Sequence, residues 1–150
     1  MFKLSTRSRY GIRAMIELAT AKDAQPLEMS AIAQRQRLSR KYLHALLVAL
    51  KDAGLTESVR GVNGGYRLTR SPEQIGVKEI LEALEGPVAV VDCAHGEAPC
   101  AHEAECGAAP LWQHLNSAIE EVLQGISLAD LLQRKPLRVH IERTTEEESP

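Results

Sequence analysis

Residues 55–70 read LTESVRGVNGGYRLTR, two short runs of strand-forming residues around a glycine-rich centre. Thr56 to Arg60 favours extended backbone, and Tyr66 and Leu68 alternate with Arg67 and Thr69, so the stretch predicts a β-hairpin. Gly61, Gly64 and Gly65 supply positive φ angles at its tip and remove side chains where backbone can approach a groove. No Walker lysine accompanies them, so the glycines alone say nothing of phosphate. The residues before the hairpin give it meaning. Ser39 is an N-cap, Leu43, Leu46, Leu47 and Leu50 form a buried stripe at helical spacing, and Gly54 falls where a left-handed C-terminal cap belongs. Upstream, Met29, Ile32 and Ala33 mark a shorter helix, with a turn at Arg37 and Leu38 between the two. Helix, tight turn, helix and hairpin is the order of a winged helix-turn-helix. Ser5, Thr6 and Ser8 open a further helix ahead of the pair, from about residue 6 to about residue 22, with Ile12, Met15, Ile16 and Ala19 on its apolar face.

Beyond Pro72, Val77, Ile80, Leu81 and Leu84 mark another helix, ended by Gly86 and Pro87. An irregular segment of about 24 residues follows, and loops of that length in compact domains are functional or disordered. It contains DCAHGEAPCAHEAEC at 92–106, with all three cysteines of the chain. After Pro110, Leu111, Leu115, Ala118 and Val122 fall on a seven-residue repeat widened by Ile119 and Leu123, which predicts a long dimerisation helix with Leu111, Leu115, Ala118, Ile119 and Val122 at the seam. Ser127 and Asp130 form reciprocal caps on a last short turn, LADLL. The tail from Arg134, ending EEESP, reads as disordered. The expected chain is mainly α with a small β-hairpin wing. Its divisions are a winged helix-turn-helix domain at 1–86, a cysteine-containing loop at 87–109, the dimerisation helix and short C-terminal helix at 110–133, and the tail at 134–150.

The net charge of −2 hides a division. Residues 1–70 carry 13 Lys and Arg against 5 Asp and Glu, and residues 71–150 carry 5 against 15. A basic half of net +8 is the footprint of a polyanion-binding module. The chain has no apolar run approaching the roughly 20 residues of a membrane span, and no secretory leader opens it, so a cytoplasmic protein is expected. In that reducing compartment three cysteines are poorly explained as a disulfide framework; metal or cluster ligands, reactive thiols and inert thiols stay open. Cys93, Cys100 and Cys106 are separated by six and five residues, without the close C-x2-C knuckle of structural zinc. Nucleophile-base pair, P-loop and dinucleotide fingerprint are all missing, which argues against an enzyme.

The opening KLSTRSRYGIRAM, the segments SAIAQRQRLSRKYL and LLVALKDAGLTESVRGVNGGYRL, the three-cysteine loop and the closing SLADLL together resemble the IscR, NsrR and CymR family of winged-helix transcription regulators, over residues 2–133. The resemblance implies a homodimer that binds palindromic double-stranded promoter DNA, usually as a repressor. It further implies an iron-sulfur cluster of 2Fe-2S or 4Fe-4S type on Cys93, Cys100 and Cys106, sensing iron-sulfur supply, redox state or nitric oxide. The alternative is a thiol- or zinc-based regulator without a cluster. Carried over by position, Ser39, Arg40, Lys41, Tyr42 and His44 open the recognition helix, and Arg60, Gly61, Asn63, Gly64, Gly65 and Tyr66 form the wing. Arg7 and Arg70 are expected on phosphate, His44 on a base edge, Tyr42 in packing and Leu43 facing inward. Where IscR-type members carry Glu-Gln, this chain has His44 and Ala45, so the IscR operator sequence does not carry over to it. The fourth cluster ligand of IscR-type members is a histidine at a position held here by Ala109, and that of NsrR-type members is an aspartate where this chain has Arg9. His95, His102, His114, Glu103 and Glu105 are the remaining candidates.

Overall fold

The computed structural model describes residues 5–91, 105–133 and 136–137. The tail expected at 134–150 lies almost wholly outside the described residues, as do Cys93, His95, Cys100, His102 and Glu103.

Among the described residues, six α-helices and one hairpin follow in the order α1 (Thr6–Ala19), α2 (Met29–Gln36), α3 (Arg40–Asp52), β1 (Thr56–Val59), β2 (Gly65–Leu68), α4 (Val77–Glu85), α5 (Ala109–Gln124) and α6 (Leu128–Leu132). The first helix stops short of its expected end. Thr20 turns its hydroxyl back to the Glu17 carbonyl at 2.8 Å, and the 3₁₀ turn Lys22–Ala24 holds Asp23 and Ala24 at positive φ. The α2–α3 turn is made by Arg37 at φ 53°, with the Leu38 N–H bonded to the Ala33 carbonyl at 2.9 Å. Ser39 caps α3 by accepting the Tyr42 N–H at 3.2 Å. At the other end Gly54 takes φ +73°, the Gly54 and Leu55 N–H groups bond to the Lys51 and Leu50 carbonyls, and buried Leu55 closes over Leu50.

The strands pair antiparallel in the register Thr56↔Leu68 to Val59↔Gly65. A second tie fixes the hairpin on the body: Leu27 and Tyr66 exchange N–H···O=C bonds in both directions, each 2.9 Å. Met15, Ile32, Leu43, Leu46, Leu47, Leu50, Leu55 and Ile80 fill one core with no more than 1 % exposure. That core is completed from outside the expected 1–86 unit by Leu128, which is 0 % exposed. Its position follows from a backbone bridge, Val77 N–H to the Ile126 carbonyl at 2.9 Å and Leu128 N–H to the Ile75 carbonyl at 2.8 Å. The expected Ser127–Asp130 reciprocal caps on α6 are present. A second cluster packs Val77, Leu81 and Ile126 with Val122 and Leu123, so the last turns of α5 rest on their own chain.

Candidate nucleic-acid interface

The helix α3 divides by face. Leu43, Leu46, Leu47 and Leu50 are buried, while Ser39, Arg40, Lys41, His44, Ala45 and Val48 are exposed. Tyr42 is half-buried and meets Tyr10 of α1 edge-on, ring centroids 6.2 Å apart, and Leu43 faces the core. The Tyr10 ring in turn carries the guanidinium groups of Arg9 and Arg13 at 5.8 and 5.4 Å from its centroid, within cation-π range. The aromatic pair therefore ties two α1 arginines to the start of α3. Arg9 and Arg13 count in the basic half of the sequence, but of the α1 cations Arg7 alone is expected as a DNA contact; the spacing of Arg9, Tyr10 and Arg13 around one helical turn was the available signal.

Internal partners sort the cations. Arg35 pairs with Glu17, Arg67 with Glu57 at 2.6 Å, and Lys51 donates to Ser58 Oγ. Arg70, expected on phosphate, donates to Glu79 Oε2 at 2.8 Å and to the Gln74 carbonyl at 3.1 Å. Because Gly76 has no side chain to cap α4, Glu79 takes the Gly76 N–H as well, and Arg70 foremost holds its carboxyl below the usual carboxylate range. Arg7, Arg40, Lys41 and Arg60 make no ion pair among the described residues.

The wing tip exposes Arg60, Gly61, Val62 and Asn63. Gly64 and Gly65 have a reason internal to the chain: a Cβ on Gly64 would strike the Val59 carbonyl oxygen, and one on Gly65 the Leu27 carbonyl oxygen at the bridge that seats the hairpin. Half-buried Tyr66 packs on the main core. At the base of α1, Glu85 accepts from the hydroxyls of Ser5 and buried Ser8 and from the Ser8 N–H at 3.2 Å, and these bonds lower its carboxyl pKa. Glu85 thus links α4 to the N-terminus that presents Arg7.

Of the cysteine set, Cys106 is described; it is half-buried, and its carbonyl accepts the Ala109 N–H at 3.0 Å as α5 begins. The other limb is held where the Val90 N–H meets Asn116 Oδ1 of α5 at 3.3 Å. Both limbs of the loop are therefore attached to α5. Of the remaining ligand candidates, Glu105 and His114 are exposed.

A family model described as Rrf2, iron-dependent transcriptional regulator, matches residues 4–134. The chain is 40 % identical over 129 residues to the HTH-type transcriptional regulator CymR of Bacillus subtilis, spanning 86 % of this chain and 88 % of that one. It is 38 % identical over 130 residues to the HTH-type transcriptional regulator IscR of Aliivibrio salmonicida, spanning 87 % and 77 %. The solved structure of B. subtilis CymR, described as its global cysteine regulator, matches with a TM-score of 0.72 at 38 % identity over 90 % of this chain and 99 % of that one.

Proposed function

The chain belongs to the Rrf2 family of transcriptional regulators, and from that premise we propose that it is a homodimeric, cytoplasmic repressor whose grip on promoter DNA is set by an iron-sulfur cluster on Cys93, Cys100 and Cys106. The observation that carries this reading is the gathering of every cysteine of the chain into one short stretch of sequence, residues 93–106, between α4 and α5. Three thiolates separated by six and five residues are a donor set suited to an object larger than a single ion. When bound, the cluster supplies a redox-active centre. The chain's own residues do the rest: Lys41 and His44 meet base edges, Arg60 and Asn63 enter the minor groove, and Arg7 and Arg40 attract phosphate. Because Val90 and Cys106 are both bonded to α5 residues, a change in the loop reaches the helix proposed to set the separation of two recognition helices.

A thiol-based regulator without a cluster is the second reading. It is favoured by the likeness to CymR, a protein described as a cysteine regulator, and by the lack of a histidine at position 109. Anaerobic purification separates the two. The cluster reading expects visible absorption, iron and sulfide, each largely lost in any single Cys→Ala variant, and a DNA affinity that follows loading in the parent protein. Colourless, iron-free protein that still binds one promoter sequence supports the thiol reading instead.

A further inference from the structure

The exposed face of α3 carries more than charge. At 3.6 residues per turn, Lys41, Ala45 and Val48 lie within about 60° of one another around the helix axis, with His44 about 40° beyond that arc. All four are exposed, and the leucines behind them are buried. Val48, at 37 % exposure, is one of the few large apolar side chains open to solvent among the described residues. It sits about 10 Å along the axis from Lys41, the span of about three base-pair steps. A partner covering this strip must accept cations and methyl groups side by side. Duplex DNA does so, and the net charge of +8 on residues 1–70 complements it.

Within the major groove, the polar edges of guanine, adenine and cytosine lose water without a hydrogen bond when an aliphatic side chain is pressed on them, whereas the C5 methyl of thymine is an apolar partner. We infer that Ala45 and Val48 form a specificity-determining strip that selects thymine by its C5 methyl group. The inference rests on the DNA-binding reading above and adds to it which base this chain's departure at position 45 favours. Lys41 and His44 remain hydrogen-bonding readers, and the apolar strip lies beside them.

The full chain, purified anaerobically and in parallel stripped of metal, is used to select sites from a random duplex library, and each thymine of the selected site is then replaced by deoxyuridine. Deoxyuridine removes only the methyl group. At one defined thymine the replacement is expected to weaken binding about fourfold, the worth of one buried methyl. In Val48→Ala, which puts a stronger helix former at an exposed position, the penalty is expected to fall below about twofold. Cytosine at the same place is expected to bind better once 5-methylated. Equal deoxyuridine penalties in both proteins, or none at any thymine, overturn the strip and leave the regulator reading intact. Failure of both preparations to enrich any sequence overturns both.

Discussion

Arg60 and Arg70 lie on either side of the same hairpin, yet only Arg70 is held by the chain itself, through Glu79 and the Gln74 carbonyl. An exposed ion pair and one backbone hydrogen bond are together worth about 1 kcal/mol. Arg70→Ala is therefore expected to lower the urea midpoint while leaving DNA affinity nearly unchanged. Arg60→Ala is expected to do the reverse, keeping stability within about 0.5 kcal/mol and losing about 1–3 kcal/mol of specific binding in a titration. An Arg70 variant of normal stability that fails on DNA would return that residue to the interface. Glu85 carries a second residue-scale expectation. Its carboxyl is held low by the Ser5 and Ser8 hydroxyls, with Arg7 adding to the effect. A group whose folded pKa is depressed stabilises the fold in full above the ordinary carboxylate range, and that stability is lost as pH falls through the folded value. The urea midpoint should fall on acidification below about pH 5, and less steeply in Glu85→Gln. Some slope should persist in the variant, because Glu79 and Asp130 are also held low. Parallel slopes in the two proteins would count against Glu85.

At the scale of elements, what was legible in the sequence is what is local. The Ser39 cap, the leucine stripe of α3, the left-handed Gly54 and the Ser127–Asp130 caps each involve residues within a few positions of one another, so composition and spacing carry them. The bridges Leu27↔Tyr66 and Gly76↔Ser127 join residues far apart in the chain, and no periodicity announces them. The same limit applied to the site: a cluster of cations is visible in composition, but the claim of Glu79 on Arg70 depends on how the segment after the wing turns into α4. The Gly76↔Ser127 bridge has an energetic consequence, since it places Leu128 in the core of the winged unit. Truncating a fully buried leucine costs about 2–5 kcal/mol. Leu128→Ala is accordingly expected to lower the stability of the whole winged unit in one cooperative transition. An unchanged main transition, with α6 melting separately, would show that the winged unit stands without it.

The molecule as a whole sorts its charge, with a net +8 on residues 1–70 and an acidic excess beyond them. The proposed homodimer joins two copies through α5, with both basic halves turned to the duplex. The helix is not uniform along its length. Val122 and Leu123 pack on Val77, Leu81 and Ile126, and Lys78 reaches Glu120, so the C-terminal turns are already held by α4. Leu111 and Leu115 toward the other end are 52 % and 38 % exposed, with Trp112, Ala118 and Ile119 half-buried. The proposed seam is therefore confined to the first turns, and Val122, expected at the interface from the heptad alone, has a partner in its own chain. A glutamate buried without a counter-charge is costly, so the two positions should fail differently. Leu115→Glu is expected to sediment as a monomer with its thermal unfolding little changed, whereas Val122→Glu should lower stability. The monomer should keep weak, salt-sensitive DNA binding through the basic half but lose tight binding to a two-half-site operator, since a single recognition helix reads one half-site. If Leu115→Glu sediments like the parent protein, the surfaces that join two copies lie off α5, and the coupling from cysteine loop to operator spacing has to run through another element.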